Sequence, residues 1–328
     1  LSIQQISNNV AAASKTFTLA ERLRAHLQIA RLDHSVKQVF ILPGIVVAFS
    51  LTGVHLSTHL AGRIVIGLIS ATLIACSNYV VNEILDAPFD RLHPTKMNRP
   101  AARGVVHVGW GYAQWLLMMV AGLGLAYTIG PGFLFSAAIL WVMGCIYNIP
   151  PVRSKDVPYL DVLSESINNP LRFCLGWYIV TSTLLPPVSL LISYWMLGAY
   201  FMGLKRFSEY RQIADATVAA AYRRSFARYT EETLLNSALF YAASAMLFFG
   251  AFLMRYRIEL VLSFPLIAWL MMVYFSLSFQ HESAVQNPEK LYKEPRLMVP
   301  FIVCVVLLIL LSLVDLPLIS NLFPKSVP

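Results

Sequence analysis

Nine apolar stretches, near residues 40–58, 65–85, 107–127, 132–149, 159–182, 187–204, 234–253, 258–278 and 299–320, constrain this chain more than any other feature. Each is close to the roughly 20 residues that a helix needs to cross the hydrocarbon core of a bilayer. Inside that core every backbone N–H and C=O must find its partner within the protein, and a run of this length does so as a helix. Composition agrees, with 57% of residues hydrophobic and 13% charged, against about 25% charged in a water-soluble domain. The expected fold is all-α: a polytopic membrane protein of about nine transmembrane helices. The apolar content excludes disorder. Cys76, Cys145, Cys174 and Cys304 lie in apolar stretches without CxxC spacing and read as small buried hydrophobes.

An odd number of spans puts the chain ends on opposite sides, and the basic residues test that count. With residues 1–37 on the cytoplasmic side, 21 of the 25 Lys and Arg fall in 1–37, 86–104, 151–172, 205–229 and 279–297. Arg63, Arg255, Arg257 and Lys325 fall opposite, which is the asymmetry of the positive-inside rule. The net charge of +8 then has a topological origin and requires no nucleic-acid partner. The expected organisation is a cytoplasmic or interfacial segment over 1–37, one transmembrane domain over 38–323, and a tail over 324–328. The second half of the first segment is basic and amphipathic, and is expected to lie along the membrane surface. Because the sequence begins at Leu, it reads as a trimmed chain or a piece of a longer protein.

The most informative stretch is NYVVNEILDAPFDRLHPTKMNRP, Asn78 to Pro100. Asn78, Asn82, Asp86 and Asp90 recur every four residues and form one polar stripe on a helix, with Pro88 loosening the last turn. Ionisable groups at membrane depth are costly and mark function. Two carboxylates one helical turn apart can share Mg²⁺, which completes its shell with water and phosphate oxygens. The competing reading pairs Asp86 and Asp90 with Arg91, Lys96 or Arg99 in the headgroup region.

Asn168-Asn169-Pro170 interrupts the fifth span, and a break at that depth is tolerated only against protein or a wet cavity. Arg172 follows it, more than two turns into the membrane. Asp161 and Glu165 lie one helical step apart just before the break; they could orient Arg172 or Arg153, ligate a second cation, or form a structural salt bridge. Tyr147 and Asn148 close span four beside Arg153 and Lys155, placed for a phosphate hydrogen bond or as an interfacial anchor. His55 and His59 lack a third ligand nearby, and P-loop, HExxH and GxSxG motifs are absent.

At Asn82-Glu83-x-x-Asp86-x-x-x-Asp90 the sequence resembles the UbiA superfamily of intramembrane prenyltransferases, whose first Asp-rich motif reads NDxxDxxxD; Glu83 stands where the family usually has Asp. The resemblance implies nine helices around a lipid-open cavity. It also implies that Asn82, Glu83, Asp86 and Asp90 hold Mg²⁺ against a diphosphate. The second motif of the ring-alkylating members, DxxxD, is missing. Instead GLKRFSEYR, with Lys205, Arg206 and Glu209, and YRRSFARYTEETLL resemble the polyprenyl-phosphate phosphoribosyltransferase branch. DRLHPTKMNRPAARG and YLDV…NNPLRFCLGW, with Asp161 and Arg172, extend that resemblance to roughly half the chain.

A donor with a 5-phosphate and a diphosphate, meeting a lipid phosphate, demands fixed cations. His93, Lys96, Arg99, Arg153, Lys155, Arg172, Lys205 and Arg206 can supply them, Arg as a fork and Lys as a compact charge. The expected function is Mg²⁺-dependent transfer of 5-phosphoribose from phosphoribosyl diphosphate to a polyprenyl phosphate, at the cytoplasmic face of a bacterial inner membrane. Asp86, Asp90, Lys205 and Arg206 form the expected catalytic group; Asn78, Asn82, Tyr147, Asp161, Glu165, Glu209 and the remaining cations bind substrate. Rival readings are prenyl transfer from an allylic diphosphate and transport of an anionic lipid or metabolite. Self-association into a homo-oligomer is compatible with each.

Overall fold

The computed structural model describes residues 17–91, 96–213, 215–281, 283–286 and 288–322. Thr18 opens α1 (Leu19–Ile29) with a capping box, its hydroxyl accepting from the Glu21 N–H while the Glu21 carboxylate accepts from the Thr18 N–H. Leu19, Leu23 and Leu27 are exposed on one face of α1, and Ala25 and Ile29 are buried on the other. A 3-10 segment (Leu32–Ile41) leads into α2 (Leu42–Thr52). There follow α3 (Thr58–Asp90), α4 (Val108–Ile129), α5 (Pro131–Asn148), α6 (Leu160–Ser166), α7 (Asn168–Val180) and α8 (Val188–Ile213). The short α9 (Ala216–Tyr222) precedes α10 (Glu231–Tyr256), α11 (Phe264–Ser278), α12 (Pro295–Leu313) and α13 (Pro317–Leu322).

Eight helical runs among the described residues are long and apolar enough to cross a membrane, which makes the protein all-α and polytopic. The fifth apolar stretch differs from an unbroken span. It is split into α6 and α7, which meet at Ile167, because Pro170 has no N–H to offer the Ser166 carbonyl. The 33 residues of α3 extend about 50 Å at 1.5 Å per residue. That exceeds a hydrocarbon core of about 30 Å, so the helix carries Asp86 and Asp90 beyond the apolar layer.

Lipid is as apolar as leucine, so close packing and hydrogen bonds hold such helices together rather than water exclusion. One core joins α2, α3, α4, α5 and α7 around Ile74, Phe133 and Leu140. Another joins α6, α8, α10, α11 and α12 around Tyr200, Ala245 and Tyr274. Ser70 donates to the Gly122 carbonyl at 2.7 Å, and Ser193 to that of Ala245 at 2.9 Å. Trp195 Nε1 donates to the Leu163 carbonyl at 3.0 Å, tying α8 to the short α6. Backbones approach most closely where α2 meets α7: a Cβ on Gly44 would strike the Phe173 carbonyl, and one on Gly176 the Ile41 carbonyl. All four cysteines are free, and Cys76 and Cys304 are buried.

Candidate active site

Asp86 and Asp90 occupy the last turns of α3, and both carry cations. Asp86 Oδ1 accepts from Lys155 Nζ at 2.6 Å and from an Arg153 guanidinium nitrogen at 2.9 Å. Asp90 Oδ2 accepts from Arg99 at 2.7 Å. The Asn82 amide donates to Asn148 Oδ1 at 2.5 Å, and that same oxygen accepts from Lys155 at 2.9 Å. Arg153 reaches Asp86 from a left-handed backbone conformation (φ 30°), and Tyr159, at the far end of the loop, adopts φ 64°. Non-glycine residues adopt such geometry only when their surroundings impose it. Here it aims Arg153 and Lys155 at α3, with Asp156 bracing Arg153 at 3.1 Å.

A second knot lies nearby, centred on Asp161. Asp161 is fully buried: Tyr229 donates to its Oδ1 at 2.8 Å and Ser225 to its Oδ2 at 3.1 Å. Arg206 lies 3.4 Å and Arg223 3.8 Å from that Oδ2. Arg206 also donates to Glu209 at 2.9 Å, while Lys205 is 4.0 Å from the other Glu209 oxygen. Asp161, expected among the substrate-binding residues, has both oxygens taken up in joining α6, α8 and the 223–229 segment. Arg206 is buried between two acids, whereas Lys205 keeps about a quarter of its side chain exposed. Asp161 does not orient Arg172 or Arg153.

Two further residues of the same helix have partners of their own. Glu83 lies off the stripe and is buried, 3.4 Å from Arg31, where it accepts from the Ala101 N–H at 3.4 Å. Around the helix Glu83 points about 100° away from Asn82 and about 60° from Asp86, and its carboxylate is taken up by Arg31 and the Ala101 N–H rather than by Lys155 or Arg153. Asn78 donates to the Leu140 carbonyl at 3.0 Å, and a Cβ on Gly144 would collide with its amide, so Asn78 packs α3 on α5. His93 lies outside the described residues. Tyr147 lies under the Lys155 ammonium, 5.8 Å from ring centre to nitrogen. Glu165 forms no ion pair among the described residues and lies within electrostatic reach of Tyr147 and Lys205.

Burial also shapes two of the lysines. It pushes the Lys96 ammonium down to about 8, with Arg223 and Arg99 adding to the depression and Asp90 and Glu209 opposing it. That list of neighbours places Lys96 between the two knots, its ammonium 5.1 Å from the centre of the Tyr222 ring. Burial also lowers Lys155, against the raising effect of Asp86. Arg153 and Arg224 both stack on Phe89, at 4.9 and 5.5 Å, and Arg224 lies 3.6 Å from Asp156. Sequence reasoning missed the parts played by Asn148, Asp156, Arg223, Ser225 and Tyr229. Three of these lie in YRRSFARYT, a stretch that had drawn attention only as a motif.

A cluster with this many cations suits a polyanion. Among the described residues no three His, Cys, Asp or Glu side chains are grouped for a metal. The Asp86 and Asp90 carboxylates share one helix face with the Asn82 amide oxygen, and Mg²⁺ typically takes one or two carboxylates and fills its shell from water and phosphate. The donor set therefore fits Mg²⁺ brought in with a diphosphate, in competition with Lys155, Arg153 and Arg99 for the same carboxylates.

The helices and the charged cleft at one end define an integral membrane protein with a polar site at the edge of its apolar layer. Residues 40–298 match the UbiA prenyltransferase family, and the chain belongs to that family. A UbiA homolog from Archaeoglobus fulgidus, solved bound to DMAPP and Mg²⁺, superposes with a TM-score of 0.64 at 21% identity, covering 85% of this chain and 99% of that one. The decaprenyl-phosphate phosphoribosyltransferase of Corynebacterium glutamicum is 28% identical over 162 residues, 48% of this chain and 46% of that one. That of Mycobacterium tuberculosis is 30% identical over 164 residues, 50% of this chain and 52% of that one. The matches thus span about half the length of these relatives.

Proposed function

We propose that this protein transfers 5-phosphoribose from phosphoribosyl diphosphate to a polyprenyl phosphate, at the cytoplasmic face of a bacterial inner membrane. The observation that carries the reading is that GLKRFSEYR, with Lys205 and Arg206, stands in this sequence in place of a second acidic motif, and that Lys96 lies between this cluster and the Asp pair, with Asp90, Glu209, Arg99 and Arg223 all within electrostatic reach. Likeness to two decaprenyl-phosphate phosphoribosyltransferases supports it. Asp86 and Asp90, with Asn82, would hold Mg²⁺, which when bound neutralises charge developing on the diphosphate. Lys96, Arg99, Arg153 and Lys155 surround the same position and stabilise the leaving group electrostatically. Lys205 and Glu165 lie on the opposite wall, within reach of the ribose and acceptor.

In the reaction the ribose C1–O bond to diphosphate breaks, and diphosphate leaves with the electron pair. An oxygen of the acceptor phosphate forms the new bond to C1. That oxygen is already anionic, so the step needs no general base, and positioning sets the rate. The test is turnover of purified protein with radiolabelled phosphoribosyl diphosphate and decaprenyl phosphate, and separately with an allylic diphosphate and an aromatic acceptor. Lipid-linked phosphoribose is expected. A prenylated acceptor in its place would overturn the reading.

A further inference from the structure

The donor site leaves one cation without a role. Lys37, in the 3-10 segment before α2, forms no ion pair among the described residues, and its ammonium lies 5.8 Å from the centre of the Tyr79 ring. Tyr79 precedes Asp86 by seven residues on α3, which is two turns, or about 10 Å, deeper in the bundle. A water-soluble sugar phosphate has no need of a cation at that depth.

Two more cations neighbour the segment, Arg172 through Tyr194 and Lys205 through Lys37 itself. The close approach at Gly44 and Gly176 seats the 3-10 segment and α2 on α7. There Arg172 is 8% exposed, and its Nε has no hydrogen-bond partner. Its guanidinium reaches back toward the charged end, donating to the Asn168 carbonyl at 3.4 Å. Tyr194 of α8 lies within electrostatic reach of Arg172 and donates to the Phe40 carbonyl at 3.5 Å, linking α8 to the 3-10 segment. Lys205, three turns along α8, lies within reach of Lys37, and the acids facing it are Glu209 and Glu165. A buried guanidinium without a counterion is expensive in a membrane protein, and an anion that enters to pair with it removes that penalty.

The outer face of the segment supplies the other half of a ligand. Val36, Val39 and Phe40, on either side of Lys37, are 67, 53 and 37% exposed. Residues three apart eclipse in a 3-10 segment, so Val36 and Val39 form one exposed apolar edge and Lys37 lies over Phe40 on the next, which sets a cation beside an apolar edge as an amphiphile with a phosphate head requires.

We propose that Lys37, Arg172 and Lys205 form the subsite for the phosphate of the lipid acceptor, whose tail leaves across Val36, Val39 and Phe40. This rests on the transferase reading above and adds Lys37 as the residue that selects a phosphate at the end of a lipid. The experiment uses the purified full chain in detergent and reads thermal unfolding with decaprenyl phosphate, decaprenol or inorganic phosphate. Only decaprenyl phosphate is expected to raise Tm, since a ligand that binds the folded state alone stabilises it by mass action. Lys37→Met should abolish the shift and Lys37→Arg should keep it.

In turnover, Lys37→Met should raise KM for decaprenyl phosphate by about tenfold or more while KM for phosphoribosyl diphosphate stays within about twofold, as truncating one desolvated charge acts on its own partner. An undiminished shift in Lys37→Met, an equal shift from inorganic phosphate or decaprenol, or a rise in donor KM alone would overturn the subsite. A shift that is lost in Lys37→Met, in a protein that makes no lipid-linked phosphoribose, would keep the subsite and remove the transferase reading. Should Lys37→Met fail to fold, Lys37→Gln is read by the same shift.

Discussion

The ammonium of Lys155 lies 2.6 Å from Oδ1 of Asp86 and 2.9 Å from Oδ1 of Asn148, so one cation ties the acidic end of α3 to the end of α5. The same contact makes Asp86 both a member of the site and a structural counterion. The two roles can be separated.

Asp86→Asn is expected to abolish turnover and also to lower Tm, because it strands Lys155 and Arg153; breaking a buried pair by removing one partner costs about 3–5 kcal/mol, an upper bound for a group as accessible as Asp86. Asp86→Asn combined with Lys155→Met should recover most of the lost Tm and none of the activity. Thermal unfolding beside single-turnover kinetics checks this, and recovered activity in the double variant would show that Asp86 is structural only.

Asp161→Asn and Arg206→Met are expected to lower Tm strongly, again by about 3–5 kcal/mol, since each leaves a buried charge without its partner. Glu165→Gln, which breaks no ion pair, should leave Tm in place and alter kcat or KM. Unchanged unfolding in Asp161→Asn would return that residue to the substrate-binding set.

Lys96 gives a pH dependence. Its folded value of about 8 lies below the ordinary 10.5. The unfolded chain therefore binds more protons between those values, and this residue's contribution to stability rises with pH through that window. Its charge, by contrast, is fully present only below about 8. Affinity for the phosphorylated donor should therefore fall as pH rises through 8, and Lys96→Arg should flatten that fall because guanidinium keeps its proton. A donor KM that is flat from pH 7 to 9.5 in the wild type would contradict it.

Chelation with EDTA is expected to stop turnover while leaving Tm of the substrate-free protein unchanged, because Lys155, Arg153 and Arg99 already neutralise the two aspartates. Full activity in excess EDTA would remove Mg²⁺ from the mechanism.

Chain composition and the spacing of apolar runs determined the helices, since burying a backbone in lipid leaves few alternatives. The four-residue recurrence that ends at Asp86 and Asp90 was legible for the same reason, because helical periodicity is local. Pro170 likewise announced the break between α6 and α7. Which charge meets which was not local. Asp161 and Glu165 look alike in sequence, one helical turn apart, yet Asp161 is enclosed by Arg206, Arg223, Ser225 and Tyr229 while Glu165 forms no ion pair among the described residues. Asn78 and Asn82 lie on one stripe, but only Asn82 meets Asn148 and its Lys155. Lys37 carried no signal at all, being one more basic residue before a span. Its environment arises because Gly44 and Gly176 let α2 and α7 close together, and only the packed bundle brings that segment to Tyr79 and Lys205.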